Sequence, residues 1–260
     1  MLVCSQQIQN IKNELELDAS KSTINRELLK FGLKVYKVPT KPVLSMSNTN
    51  DRIEFAQKHR RWRQKWQEIV FSDESAFNLS QNDGRLLVRL YSSDQRDENG
   101  YRITKPSDSY KSVMVWGAIS ILGTGPLVRV TKRLTALEYL NLFRQRLRRY
   151  YPGLYNNQQI FQDDNAPCHR AGLVNQWFNK YNIKRIVWPA KSPDLNIIEN
   201  VWGHIKYKIK NRTYQNEDEL WNDIENEWIK FPTELIFRLY ESLPRRIEAV
   251  IQENGFNTNY

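Results

Sequence analysis

The order in which two kinds of apolar periodicity follow one another along residues 68–209 restricts this chain more than any other feature. Alternating and continuous apolar runs come first: "EIVFSDESAFNLS", then "SVMVWGAIS" and "PLVRVT", which the turn "ILGTG" joins as a hairpin. From about Thr135 to Tyr150 the spacing becomes helical, with Tyr139, Leu140, Leu142, Phe143 and Leu147 on the apolar side. The strand "QQIFQD", a helix over "AGLVNQWFNKYN", the strand "IKRIVWP" and a helix beginning near "LNIIENVW" complete the series. Three strands, helix, strand, helix, strand, helix predicts an α/β fold: a mixed sheet flanked by helices, with hairpin connections first and crossovers later. The tail from about Thr213 reads as amphipathic helix, with Leu220, Ile224 and Trp228 at four-residue spacing.

Ahead of the strands the pattern is helical in short pieces. Ile8, Ile11 and Leu15 lie three and four apart; Ser20 or Ser22 then caps a helix carrying Ile24, Leu28 and Leu29 and ending at Gly32. That is the pattern of a helix-turn-helix, and equally of an ordinary helical hairpin. In the first case Ser22, Thr23, Asn25, Arg26 and Lys30 present short polar and basic groups suited to a DNA major groove. "KVPTKPVLSMSNTN" reads as a linker, and a helical stretch from Asp51 carries Ile53, Phe55, Ala56, Trp62 and Trp66. The predicted organisation is residues 1–40 as a partial helix-turn-helix segment, 41–65 as linker and connecting helix, and 66–260 as an α/β domain with a helical tail.

Charge narrows the partner. Lys and Arg outnumber Asp and Glu by 39 to 29, and a net charge of +10 favours a polyanion through counterion release, so nucleic acid is the leading partner class. Thirteen Tyr, ten Phe and eight Trp exclude a low-complexity disordered chain. No apolar run approaches the roughly 18 residues of a membrane span, and no secretory signal is read at the N-terminus. Two cysteines make no disulfide framework, which favours a reducing compartment.

Within this basic chain three acidic positions stand where apolar elements begin or end. Asp73 closes "IVFSD", Asp163 and Asp164 close "IFQDD", and Glu199 lies one position from the stripe Ile198, Trp202, Ile205 and Ile209, which predicts that its carboxylate borders the core. If the first and fourth strands are neighbours, Asp73 and Asp164 come close and the last helix brings Glu199 over them. Three carboxylates in one cleft retain protons unless a cation compensates them. Mg²⁺ suits all-oxygen ligands, and a pair of such ions serves in-line phosphoryl displacement. Adjacent Cys168 and His169, without a second Cys/His cluster, do not make a zinc site. Taken singly, each Asp is equally well a strand-end cap. Asp163 and Asp164 point to opposite faces of their strand, and periodicity alone does not choose between them.

The blocks "FSDESAFNL", "SVMVWGAIS", "QDDNAPCH" and "WPAKSPDLNIIENVW" resemble the signature blocks of Tc/mariner transposases. The resemblance runs from about residue 18 to the C-terminus, including "LDASKSTINRELLKFGLK" and "SLPRRIEAVIQENG". It implies a ribonuclease-H-like catalytic domain with an Asp, Asp, Glu triad. The family's aspartate directly precedes Asn-Ala, which selects Asp164; 34 residues then separate it from Glu199, the spacing of the Tc branch, whereas Asp163 gives 35. Asn165 and His169 fall in the same block as accessory candidates, with a turn-stabilising Asn and a satisfied His as the plainer readings.

What the resemblance implies is a cut-and-paste DNA transposase in the nucleus. Asp73, Asp164 and Glu199 hold two Mg²⁺ ions, for which Mn²⁺ substitutes. Double-stranded DNA is the partner, as terminal inverted repeats and a TA target, and a homodimer pairs two ends; no membrane is involved. Arg60, Arg61, Arg63 and Lys65 are expected to hold backbone phosphates or to form a solvated face. The chain departs from the family in three places. It keeps most of only the second of two helix-turn-helix units and so reads as N-terminally shortened; "SDSYK" replaces a glycine-rich segment; and "DGRLLVRLYSS" lacks a tryptophan. The rival readings are a non-catalytic DNA-binding protein derived from a transposase, which all three triad acids argue against, and a ribonuclease-H-like nuclease with other substrates.

Overall fold

A computed structural model describes residues 8, 11–16, 18–37, 42–79, 87–90, 112–130 and 134–260, with backbone alone at 34–37 and 87–90. "SDSYK", and "DGRLLVRLYSS" apart from 87–90, lie outside the described residues. In chain order the elements are α1 (Lys21–Lys30), β1 (Lys34–Lys37), α2 (Met46–His59), a 3₁₀ turn (Gln64–Glu68), β2 (Ile69–Asn78), β3 (Leu87–Leu90), β4 (Ser112–Ser120) and β5 (Gly123–Val130). There follow α3 (Ala136–Leu142), which continues as a π-helix (Phe143–Leu147) and a last turn (Arg148–Tyr150), β6 (Ile160–Gln162), α4 (Gly172–Lys180), α5 (Ile198–Ile209), α6 (Glu217–Ile229) and α7 (Thr233–Gln252). They fall into two compact units, one drawn from Met1–Lys41 and Asn82–Ser109, the other from Pro42–Gln81 and Tyr110–Tyr260.

In the smaller unit, residues 11–14 are helical, 15–16 turn, and α1 follows, so two helical pieces flank a turn as the pattern predicts. Ser20, not Ser22, is the cap: its Oγ accepts the Thr23 amide at 3.1 Å. Gly32, at φ 81°, lets the Leu33 amide reach back to the Leu28 carbonyl at 3.0 Å and ends the helix. Ile24 is buried, whereas Leu29 is exposed. β1 pairs antiparallel with β3. This ribbon was not legible in sequence, because a four-residue pairing across 50 to 56 positions leaves no local periodicity.

The larger unit holds the mixed sheet, in the order β5-β4-β2-β6, with β2–β4 and β4–β5 antiparallel and β2–β6 parallel. Alternation along β2 and β4 divides the core. Ile69, Phe71, Phe77, Val113 and Val115 face α5, α6 and α7, whose Ile198, Val201, Trp202, Ile205, Leu220, Ile224, Trp228, Ile236 and Leu243 pack on them. Val70, Trp116 and Ala118 face Tyr139, Leu140, Phe143, Leu147, Val174 and Trp177 on the other side. Burial of each aliphatic side chain stabilises the fold by roughly 1.5–3 kcal/mol. Close packing also explains Gly117: a Cβ there would lie 2.7 Å from Trp202 and 2.8 Å from Trp228, whose rings stack at 4.9 Å.

Three sequence expectations are corrected. The helix expected from Asp51 starts at Met46, inside the segment read as linker, because Ser45 and Asn48 form a reciprocal capping box; an Asn in place of the usual Glu or Gln hid the signal. It ends at His59, so Trp62 and Trp66 lie beyond it. "IKRIVWP" is not a strand but a single parallel bridge, Phe161 to Arg185, beside the three-residue β6. Asp73 does not close its strand; it is the fifth residue of the ten in β2.

Candidate active site

The parallel register of β2 and β6 sets the site. Ile69 pairs with Ile160, Val70 with Phe161 and Phe71 with Gln162, and two residues further along the same register stand Asp73 and Asp164. Both belong to the sheet face that α5 covers. Glu199 occupies the first turn of α5, about 100° round from Ile198. That rotation takes it out of the buried stripe, so it is exposed on a cavity wall rather than bordering the core as expected. Asp73, Asp164 and Glu199 line one cavity of about 290 Å³, together with Asn165, Ala166, residues 188–193 and Asn196.

Electrostatics separate Asp73 from Asp164. Burial first, and then the neighbouring charges of Glu199, Glu74 and Asp164, push the Asp73 carboxyl well above the usual aspartate range. Burial also acts to raise Asp164, but the His169 hydrogen bond at 2.6 Å and the Ala166 amide at 2.8 Å outweigh it and hold that carboxyl below its ordinary value. His169 is the counterpart. Burial would depress it, yet its hydrogen bond to Asp164 and the Glu74 carboxylate beside it raise it to about 10, so it is an imidazolium at neutral pH. Its Nε2 lies 3.3 Å from Glu74 Oε1, and its ring stacks on Tyr139 at 4.0 Å.

Asp163 has a different environment. It is 1% exposed and turned to the opposite face, where the Tyr139 hydroxyl donates to it at 3.1 Å and Arg170 and Arg185 each approach to 3.2 Å. Arg185 also donates to the His169 carbonyl at 2.9 Å. Asn165 donates from Nδ2 to the Trp188 carbonyl at 2.8 Å and so ties the loop after β6 to the cavity rim. Glu74, Tyr139, Arg170 and Arg185 escaped the sequence reading, because β2 alternation puts Glu74 opposite Asp73 and nothing local marks the others as partners.

Of the other predicted groups, Ser22 and Thr23 bond through their hydroxyls to Ser20, at 3.0 and 2.9 Å, while Arg26 and Lys30 flank Glu27 at 4.0 and 2.8 Å. Asn25 is half-buried on the same helix. Arg60 is held by Glu248 at 3.0 Å, Arg63 donates to the Arg60 and Trp62 carbonyls, and Lys65 sits 4.6 Å above the Trp62 ring. Arg61 is exposed.

A family of DDE superfamily endonucleases matches residues 68–221, and a transposase helix-turn-helix family matches residues 4–61. The Tc1 transposase of Caenorhabditis elegans is 36% identical over 242 residues, 93% of this chain and 88% of that protein. The chain belongs to the Tc1/mariner transposases. A second member of the family, the Tc3 transposase of C. elegans, is 33% identical over 97% of this chain and 76% of its own length. The Tc1/mariner fold is seen in the Mos1 mariner paired end complex with Mn, which superposes with a TM-score of 0.68 at 19% identity, covering 97% of this chain and 75% of that one. The Mos1 catalytic domain with Raltegravir and Mg gives 0.64 at 18% identity, covering 84% and 100%. As a transposase of the DDE class the protein is an enzyme with a ribonuclease-H-like catalytic fold.

The residues present fit a hard dication in chemistry: three carboxylates from separate elements share a cavity, and Asp73 carries uncompensated repulsion from two of its neighbours there. Among the described residues no three acidic, His or Cys side chains already stand in ligating positions. Asp164 accepts from His169 and Ala166 through Oδ1, and both it and Glu199 are exposed.

Proposed function

We propose that this protein is a cut-and-paste DNA transposase acting in the nucleus, and that Asp73, Asp164 and Glu199 are its catalytic carboxylates. The observation that carries the reading is the convergence of these three acids, from β2, the loop after β6 and the first turn of α5, on one open cavity. They would hold two Mg²⁺ ions, or Mn²⁺ in their place; bound there, such ions supply charge stabilisation for a phosphodiester and a deprotonated water. The chain's own groups prepare the site. The His169 imidazolium, fixed by Tyr139 and Glu74, orients Asp164 at Oδ1. Lys191, on the cavity wall and now bonded to the Val43 carbonyl at 2.9 Å, supplies a positive charge for a DNA phosphate.

In this reading water hydrolyses a phosphodiester at the end of the element, and the freed 3′-hydroxyl attacks target DNA at a TA dinucleotide. No covalent protein intermediate forms. The helix-turn-helix unit, with Ser22, Thr23, Asn25, Arg26 and Lys30, contacts the terminal inverted repeats, and a homodimer pairs two ends. The test is to incubate the inverted repeats flanking the gene with the protein and Mg²⁺. Nicking at the repeat boundary is expected, with loss of at least about 10³-fold in Asp164→Asn while DNA binding stays intact. Binding without metal-dependent cleavage in the unaltered protein would favour the non-catalytic alternative.

A further inference from the structure

The acidic cavity leaves most of the basic charge unexplained, and part of it gathers on the other side of the sheet. The π-helical continuation of α3 and its last turn present Arg144, Arg146, Arg148 and Arg149 to solvent, and among the described residues none of the four pairs with a carboxylate. Two of them do more than decorate a surface. Arg144 and Arg148, four apart, line an open pocket of about 220 Å³ whose other walls are Tyr155, Trp177 and Tyr181. The rings form a corner: Tyr155 meets Tyr181 at 5.8 Å and Trp177 at 6.3 Å, both edge-on, and Trp177 lies 5.0 Å from Tyr181. Trp177 is fixed from behind by stacking on the buried Phe143 at 5.4 Å, whereas Tyr181 is 37% exposed. The Arg148 guanidinium sits 5.6 Å from the Tyr155 ring, and Lys180 lies 5.7 Å from that of Tyr181.

Guanidinium groups without acidic partners among the described residues, beside aromatic faces and with no carboxylate in the lining, select a ligand that is anionic at one end and flat and aromatic at the other. The volume is below the roughly 300–1,000 Å³ of pockets for drug-sized ligands, and so suits one base. A duplex hides its base faces by stacking, so only an unpaired strand offers them. We propose that this pocket is a holding site for an unpaired DNA nucleotide, its base against Tyr181 and Tyr155 and its phosphate against Arg144 and Arg148. The assignment of the strand as DNA rests on the transposase reading, since breaking strands of a duplex leaves frayed ends. The helices that carry the pocket pack on the face away from α5, so the held strand lies across the sheet from the acidic cavity.

The experiment uses the full chain in EDTA, which removes cleavage from the measurement. A fluorescent oligothymidylate of roughly 12 nucleotides and a duplex of the same length are titrated against the protein, Tyr181→Ala, Tyr181→Phe and the double variant Arg144→Gln/Arg148→Gln. Tyr181→Ala and the double variant should each weaken single-strand binding roughly 10- to 100-fold, with Tyr181→Phe restoring it and Tyr181→Ala leaving duplex affinity within about threefold. Ultraviolet crosslinking of an iodouracil-substituted strand should map to Tyr155 or Tyr181. Unchanged binding in the variants, equal loss for duplex and single strand in Tyr181→Ala, or crosslinks confined to other residues would overturn the proposal. A protein that binds single strands through this pocket yet never cuts with Mg²⁺ would sink the transposase reading and leave the pocket standing. Normal cutting with indifferent pocket variants would do the reverse.

Discussion

Asp163 and Asp164 share a sequence position to within one residue and almost nothing else. Asp163 is enclosed by Tyr139, Arg170 and Arg185 on the face of α3 and α4, while Asp164 stands open on the cavity and takes its hydrogen bonds from His169 and the Ala166 amide. Burial lifts Asp163 above its usual range against the pull of Arg185 and Arg170. Its neutral analogue should therefore be tolerated chemically but not structurally. Asp163→Asn leaves two partly buried guanidinium groups short of a counter-charge, and an unfolding titration should show a loss on the order of 1–3 kcal/mol. End cleavage by the same variant, assayed below its melting temperature, should remain measurable. Cleavage as low as that of Asp164→Asn would show that the working aspartate is the earlier one.

At the scale of elements, the end of the segment read as linker, from Met46, is the start of α2. α2 reaches the far end of the chain through Arg52, which is fully buried, donates to both Asp194 oxygens at 2.8 and 2.7 Å and holds the Gly255 carbonyl at 2.8 Å. The Thr258 hydroxyl completes the group at 2.8 Å from Asp194, and Arg246 donates to the Asp194 carbonyl at 2.7 Å. Asp194 stands four residues before Ile198, the first of α5, so this cluster anchors the approach to the helix that carries Glu199. Burial opposes ionisation of Asp194, but Arg52 and Thr258 outweigh it and hold its carboxyl below the usual range. A depressed folded-state pKa contributes stability above the unfolded value, about 3.9, that is lost as pH falls through it toward the lower folded-state value. Thermal melts across pH 3–7 should therefore show a melting temperature that drops at the acid end, with a shallower drop in Asp194→Asn. At neutral pH Arg52→Ala should cost about 3–5 kcal/mol, because it leaves Asp194 buried without its partner. A flat acid limb in the unaltered protein would remove the cluster from the account of stability.

For the whole molecule, a net charge of +10 and many exposed basic side chains make binding to duplex DNA an ion-exchange equilibrium. Affinity for a random duplex should fall at least tenfold between 50 and 200 mM salt, the loss expected for release from about two phosphates, and a salt-independent affinity would mean that the charge serves another partner. The sequence by itself determined the hairpin strands β4 and β5, the apolar stripes Tyr139–Leu147 and Ile198–Ile209, and the motif spacing that singles out Asp73, Asp164 and Glu199 as candidates, because periodicity and motif order are properties of neighbouring residues. It left open which face each aspartate takes, since alternation is symmetric until something packs on one side. Only the tertiary structure decided that, through the parallel register of β2 on β6 and the placing of α5 on one face and α3 with α4 on the other. The same packing brought Glu74, Tyr139 and Arg185 to the aspartates, made Arg52 and Asp194 partners across 142 positions and set Arg144 beside Tyr181. Contacts at such separations carry no local signature, because each residue is chosen against a surface that exists only after the chain has folded.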